Sequence, residues 1–122
     1  MNGYTGNIEK QTEENENYRG VVYTGPNMQL VVMALQVGEE IGMEKHDTHD
    51  QFFRIEVGEC VVIMDGVPTV VRAGEAAIVP AGTEHNVVNN GTQTLKLYTI
   101  YAPPQHPAGT IHKTKADEPA HH

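Results

Sequence analysis

GEAAIVPAGTEHNVVN, residues 74–89, is the stretch on which the fold is decided. Its skeleton is Gly74, Pro80, Gly82, His85 and Asn89, in the spacing G-x5-P-x-G-x2-H-x3-N. Each marked residue has a physical task. Gly74 turns the chain, since glycine accepts backbone angles that other residues resist. Residues 76–79 then form a short apolar strand. Pro80 and Gly82 make a corner that re-aims it. His85 heads the next apolar strand, 85–88, and is aimed at the interior.

Outward from this stretch the chain reads as more short strands. Asp65-Gly66 lies between the apolar runs 60–64 and 67–71, a strong two-residue hairpin signal. Asn90-Gly91 reads as a second one. Residues 28–37, MQLVVMALQV, are almost continuously apolar, too short and too β-branched for a helix, so they read as a buried strand. Further strands are expected over 20–23, 42–46, 52–57 and 95–101. Gly25-Pro26, Gly58-Glu59 and Ala73-Gly74 punctuate them. No segment carries a useful helical apolar stripe, so the expected class is all-β, a sandwich or barrel. Residues 1–17 are polar and aperiodic and read as a flexible arm. Pro103, Pro104, Pro107 and Gly109 stiffen an extended segment after Tyr101, and 113–122 read as a polar, mobile tail in which His121 and His122 take no role. The expected organisation is an arm over 1–17, a barrel over 18–104 and an extended tail over 105–122.

Composition narrows the partners. The chain has 122 residues, enough for one domain with one core. Eight Lys and Arg against 16 Asp and Glu give a net charge of -8. That charge repels phosphate backbones and anionic lipid, so neither nucleic acid nor a membrane surface is an expected partner. No apolar stretch approaches the ~20 residues of a membrane span, and residues 1–17 do not read as a signal peptide. Cys60 is the single cysteine, which fits a reducing cytoplasm, and it reads as a small buried hydrophobe. There is no phosphate loop, nucleophile elbow or Cys-x-x-Cys pair.

The 74–89 stretch resembles the second motif of the cupin superfamily at every marked position. The first cupin motif, G-x5-H-x-H-x3,4-E-x6-G, is matched in part. Gly58 lies seven residues after Gln51, which places Gln51 at the usual Glu position, His46 at the second His position and Glu44 at the first. The resemblance covers roughly residues 28–103. It extends to the segments 50–56 and 97–104, which look like those of small single-domain bacterial cupins of the conserved-barrel type. It implies a double-stranded β-helix (jelly-roll) barrel, often dimeric, with a metal in its mouth. The implied donor set is Glu44, His46, Gln51 and His85. Here Glu44 supplies the carboxylate that Gln51 lacks, so the set keeps one negative charge. Two imidazoles and a carboxylate suit one divalent ion of Fe, Mn, Zn or Ni, with Gln51 a weak oxygen ligand or an orienting donor. Cupin activities range over dioxygenases, decarboxylases, isomerases and non-enzymatic binders, so the fold alone does not choose among them.

Rival residues take blander readings. His49 has metal-like spacing from His46, but the register puts it in a turn, off the inward face. With Gln51 inward, Phe53 and Ile55 face in and Arg54 faces out as an ion-pair partner. Tyr98 and Tyr101 read as core or rim packing, and His106 and His112 as tail residues. The expectation is a homodimeric metal-binding cupin, acting on or binding a small polar organic molecule as an oxygenase or isomerase of the cupin type. The alternative is a non-enzymatic binding or sensing module on the same barrel.

Overall fold

A two-residue turn illustrates how local chemistry sets the architecture. Asp65 and Gly66 both take positive φ, 48° and 82°, and join the strands Glu59–Met64 (β4) and Val67–Arg72 (β5), with Met64 opposite Val67. Positive φ at both central positions matches the right-handed twist of the paired strands. This geometry comes from a computed structural model that describes residues 3–119. His121 and His122 lie outside the described residues.

The other strands are Arg19–Thr24 (β1), Gln29–Leu35 (β2), Asp50–Val57 (β3), Ala76–Val79 (β6), His85–Val88 (β7), Leu95–Ala102 (β8) and Ile111–His112 (β9). They form two antiparallel sheets, a six-stranded one in the order β6-β3-β8-β2-β1-β9 and a three-stranded one in the order β5-β4-β7. The core between them is built from Val31, Met33 and Leu35 of β2, Phe53 and Ile55 of β3, Val62, Val87, and Leu95, Leu97 and Tyr101 of β8. This is the all-β double-stranded barrel expected. Alternation along β3 holds as well: Gln51, Phe53 and Ile55 are buried, and Arg54 faces out beside Glu56 at 3.8 Å.

Four local expectations are corrected. Asn90-Gly91 makes no hairpin: β7 pairs with β4, whereas β8 pairs with β2 and β3, so residues 89–94 carry the chain from one sheet to the other. Buried Asn89 ties that crossing. Its amide nitrogen donates to the carbonyls of Leu35 and Gln93, both at 3.0 Å, and its oxygen accepts from the Gly91 N–H. The expected strand over 42–46 is reduced to isolated bridges at Glu40 and Glu44, because Gly42, at φ +111°, breaks the extended run.

The expected arm contains a helix, Ile8–Glu14 (α1), capped by Asn7, whose side chain accepts from the Lys10 N–H. Seven residues are too few to be stable alone. Tertiary contact holds α1, with Thr12 buried and the Lys96 ammonium donating to the Glu13 carbonyl at 2.7 Å. Residues 17 and 18 also accept from the Ala34 N–H, so the chain leaving α1 lies against β2. The tail is also structured. β9 adds a strand beside β1, and a 3₁₀ turn, Lys115–Asp117 (η1), follows it. Among the described residues no helix is long and apolar enough to cross a membrane.

Candidate metal centre

Two backbone segments bring the expected donors together. Glu44 N–H donates to the His85 carbonyl and His85 N–H to the Glu44 carbonyl, both at 2.8 Å. A reciprocal pair of this kind puts the two side chains on one face. His46 lies two residues on, and its carbonyl accepts from the Gly82 N–H at 2.9 Å, so the corner of the quoted stretch fixes that end. Glu44, His46 and His85 each direct one ligand atom so that all lie within 4.8 Å of one another. Gln51 enters from β3, opposite Val79 and Tyr101, and like His85 is 3% exposed.

The hydrogen bonds leave these atoms short of partners. His85 Nδ1 donates to the Thr83 carbonyl at 2.9 Å, which leaves Nε2 as the lone-pair nitrogen of the neutral ring. That Nε2 faces Gln51 Oε1 at 3.2 Å, while the Gln51 amide nitrogen donates to Thr99 Oγ1 at 3.1 Å. With the amide in this orientation two acceptors face each other, an arrangement with no hydrogen to share. Two ligands at right angles on one ion, with bonds of about 2.1 Å, lie about 3 Å apart. His46 Nε2 is buried with no hydrogen-bond partner among the described residues, and its nearest acidic atom is Glu44 Oε1 at 3.5 Å. Burial pushes the Glu44 carboxyl up, but contact with His46, the charges of His46 and His85, and the Arg19 guanidinium outweigh it and hold the group below its ordinary value. The site therefore offers a carboxylate and two imidazole nitrogens in need of a partner, which fits one divalent cation.

The remaining candidates separate cleanly. The His49 ring lies 5.6 Å from that of His46, but its Nε2 donates to the Pro104 carbonyl at 3.2 Å and its Nδ1 faces the Thr48 hydroxyl at 3.1 Å, so both nitrogens already have partners. The Cys60 thiol is pushed up to about 12 by burial and contacts the Val71 carbonyl. Tyr101, read as packing, is a wall of the site: its ring centroid is 6.3 Å from His46 and 5.2 Å from His106.

Sequence reasoning missed the strap over the mouth. Gln29, fully buried, accepts from the N–H groups of Gln105 and His106 at 3.1 and 2.9 Å and donates to the His106 carbonyl at 2.7 Å. His106 thus lies against Tyr101, and burial, then Arg19, pushes its imidazole down to about 4. The one sequence signal was a glutamine inside an apolar run. Two adjoining cavities of about 460 and 370 Å³ open here, and Glu44, Gln105 and Glu118 line both.

Residues 31–101 match the cupin domain family. The uncharacterized protein YrkC of Bacillus subtilis is 47% identical over 117 residues, 91% of this chain; the chain spans 63% of that protein's length. An uncharacterized protein of Acanthamoeba polyphaga mimivirus is 40% identical over 88% of this chain and 70% of its own. Among solved structures, a Bacillus halodurans protein superposes with a TM-score of 0.93 at 45% identity, covering 95% of this chain and 92% of that one.

Proposed function

The chain belongs to the cupin domain family, and on that premise we propose that it binds one divalent metal ion in the barrel mouth and acts there on a small polar organic molecule. Glu44, His46 and His85 would hold the ion, and Gln51 would add a neutral oxygen or orient the set. The observation that carries this reading is the convergence of three ligand atoms within 4.8 Å, two of them imidazole nitrogens that the fold leaves without a proton partner. Bound there, a divalent ion would supply Lewis acidity and open coordination positions for an incoming ligand. The protein's own residues position and enclose: the Glu44–His85 backbone pair sets the donors, Thr83 fixes the His85 tautomer, and the strap over 103–110 narrows the opening.

A second reading, binding without turnover, is favoured by the groups left over. Tyr101, raised by burial to about 12, and His106, lowered by burial to about 4, flank the site, and neither exchanges protons readily at neutral pH.

Metal content of tag-free protein tests the main reading. We expect about one ion per chain and its loss in His85→Ala, since water in place of a strand-borne imidazole removes an anchored ligand. Unchanged stoichiometry in that variant would overturn the reading. Turnover of a substrate panel under air by the metal-loaded protein then separates enzyme from binder. The same proposal takes the protein as a homodimer. Val67, Val70 and Ile78 are exposed on the edge strands β5 and β6, the kind of surface small barrels cover. A monomeric mass by light scattering at micromolar protein would refute that part.

A further inference from the structure

Arg19 opens β1 opposite Met33, on the inward face, and is 1% exposed. A guanidinium in such a place is costly unless its donors are matched. NH1 donates to Glu118 Oε2 at 2.7 Å and to His112 Nδ1 at 3.1 Å, and the Tyr18 ring lies 5.1 Å from the guanidinium carbon. Arg19 Nε is buried with no partner among the described residues. The fork is therefore only partly used: Glu118 engages it through one terminal nitrogen, whereas a free carboxylate can take two parallel N–H groups. The cavity of about 370 Å³ beside it is lined by Arg19, Glu44, His106, His112 and Glu118. That volume suits a small ligand, and one space joins the buried cation to a member of the metal donor set.

We propose that Arg19 is the recognition residue for a small organic carboxylate in the barrel mouth, and that Glu118 of the C-terminal segment occupies its place until that ligand arrives. The proposal deepens the metal-binding reading by naming the ligand class, and rests on that reading only for the ligand's second anchor. The class follows from what the site already seats, a single carboxylate carrying one negative charge. Glu44, lining the same cavity, disfavours a doubly charged anion such as phosphate. Glu118 suits a displaceable occupant. It follows a three-residue 3₁₀ turn, beyond the last backbone bonds to the barrel, which β9 makes with β1 and the Tyr18 N–H makes with the Lys113 carbonyl at 3.1 Å. Past these the turn is held by Lys115, which donates to the Ile41 carbonyl at 3.1 Å and lies 3.6 Å from Glu118 Oε1. A buried ion pair is also a poor device for mere fastening, because apolar contacts hold a segment without desolvating two charges.

The test is calorimetric titration of the metal-free full-length protein with glycolate, its neutral analogue glycolamide and inorganic phosphate. Omitting metal prevents glycolate from binding through an ion. Glycolate should bind Glu118→Gln more tightly than wild type by roughly threefold or more, because the internal competitor is gone. Arg19→Lys should weaken glycolate by roughly tenfold, since ammonium lacks the fork. Glycolamide and phosphate should bind far more weakly. In wild type, glycolate should speed amide exchange over residues 111–118. Equal or weaker glycolate binding by Glu118→Gln, glycolamide or phosphate binding as tight as glycolate, or no glycolate binding at tens of millimolar would each overturn the proposal. If Arg19→Lys does not fold, the comparison of Glu118→Gln with wild type decides alone. Metal stoichiometry is measured on the same samples, so a failed metal site and a failed carboxylate site give different results.

Discussion

Moving the negative charge within the donor set probes the metal site directly. Glu44→Gln keeps side-chain length and one oxygen and removes the charge. The backbone should tolerate it, because position 44 is held by reciprocal N–H to carbonyl bonds with His85 at 2.8 Å that do not involve the side chain. A carboxylate bonded to a divalent ion gains twice the Coulomb attraction of two unit charges at the same separation, an attraction that the neutral amide lacks. The lower desolvation of the amide and its retained oxygen return most of that. A net loss of at least ~1.4 kcal/mol, tenfold in affinity, should remain. Gln51→Glu is the reverse change. It sets a carboxylate where Gln51 Oε1 now stands, 3.2 Å from His85 Nε2, and the neighbouring Thr99 hydroxyl can turn to donate to it. That variant should bind metal at least as tightly as wild type while melting lower when metal-free, because a second buried carboxylate joins Glu44. Combining the two should recover most of the affinity lost in Glu44→Gln. Titration of metal-free protein with Mn(II) and Zn(II), with melts of each form, checks all three. If Glu44→Gln binds as tightly as wild type, Glu44 is a rim group. If the double variant binds more weakly than Glu44→Gln alone, position 51 does not face the ion.

Three further outcomes follow from the surroundings of the site. His49→Ala should leave metal affinity within a few-fold, because both ring nitrogens are engaged elsewhere; a loss comparable to that of His85→Ala would show that the donor register is wrong. Gln29→Leu should free the strap, since it strands the N–H groups of Gln105 and His106, at a cost of about 1–3 kcal/mol. Hydrogen exchange over 103–108 should then rise while β3 stays protected, and unchanged strap protection would refute the latch. In the metal-free protein the strap should also loosen on acidification. His106 is lowered by burial to about 4 from its ordinary 6.5, so between those values the unfolded strap binds the proton and the closed one does not. Stability from this group is thus present above about pH 6.5 and lost as pH falls toward about 4. Exchange over 103–108 that is flat across that window, once corrected for intrinsic rates, would contradict this.

What was legible in the chain was what local chemistry encodes. Asp65-Gly66 dictated its own turn, the alternation of Gln51, Phe53 and Ile55 dictated a face, and the spacing from Gly74 to Asn89 dictated a corner and a strand. Asn90-Gly91 marks the boundary of that method. A turn-forming dipeptide states that the chain reverses but not which strands pair afterwards. Here a buried Asn89, bonded to Leu35 across 54 residues, sends the chain to the other sheet. α1 was illegible for a related reason, since its stability lies in contact with β8 and not in its own seven residues.

The mouth of the barrel was read in half for the same cause. Glu44, His46 and Gln51 are a few residues apart in one local pattern, and His85 stands in a second, so spacing along the chain captures both. Arg19 and Glu118 are 99 residues apart, and Gln29 reaches the His106 backbone across 77. Neither pairing has a local signature. A charge at the start of a strand reads as surface, and a glutamine in an apolar run reads as an interruption. Only the addition of β9 at the edge of the six-stranded sheet brings His112 and Glu118 over the end of β1 and turns an ordinary arginine into a buried cation. The polar residue that breaks an apolar pattern is the one most in need of a distant partner, because burial without one costs about 1–3 kcal/mol. Gln29 inside residues 28–37 was such a residue, and the segment it awaited was the proline-rich strap.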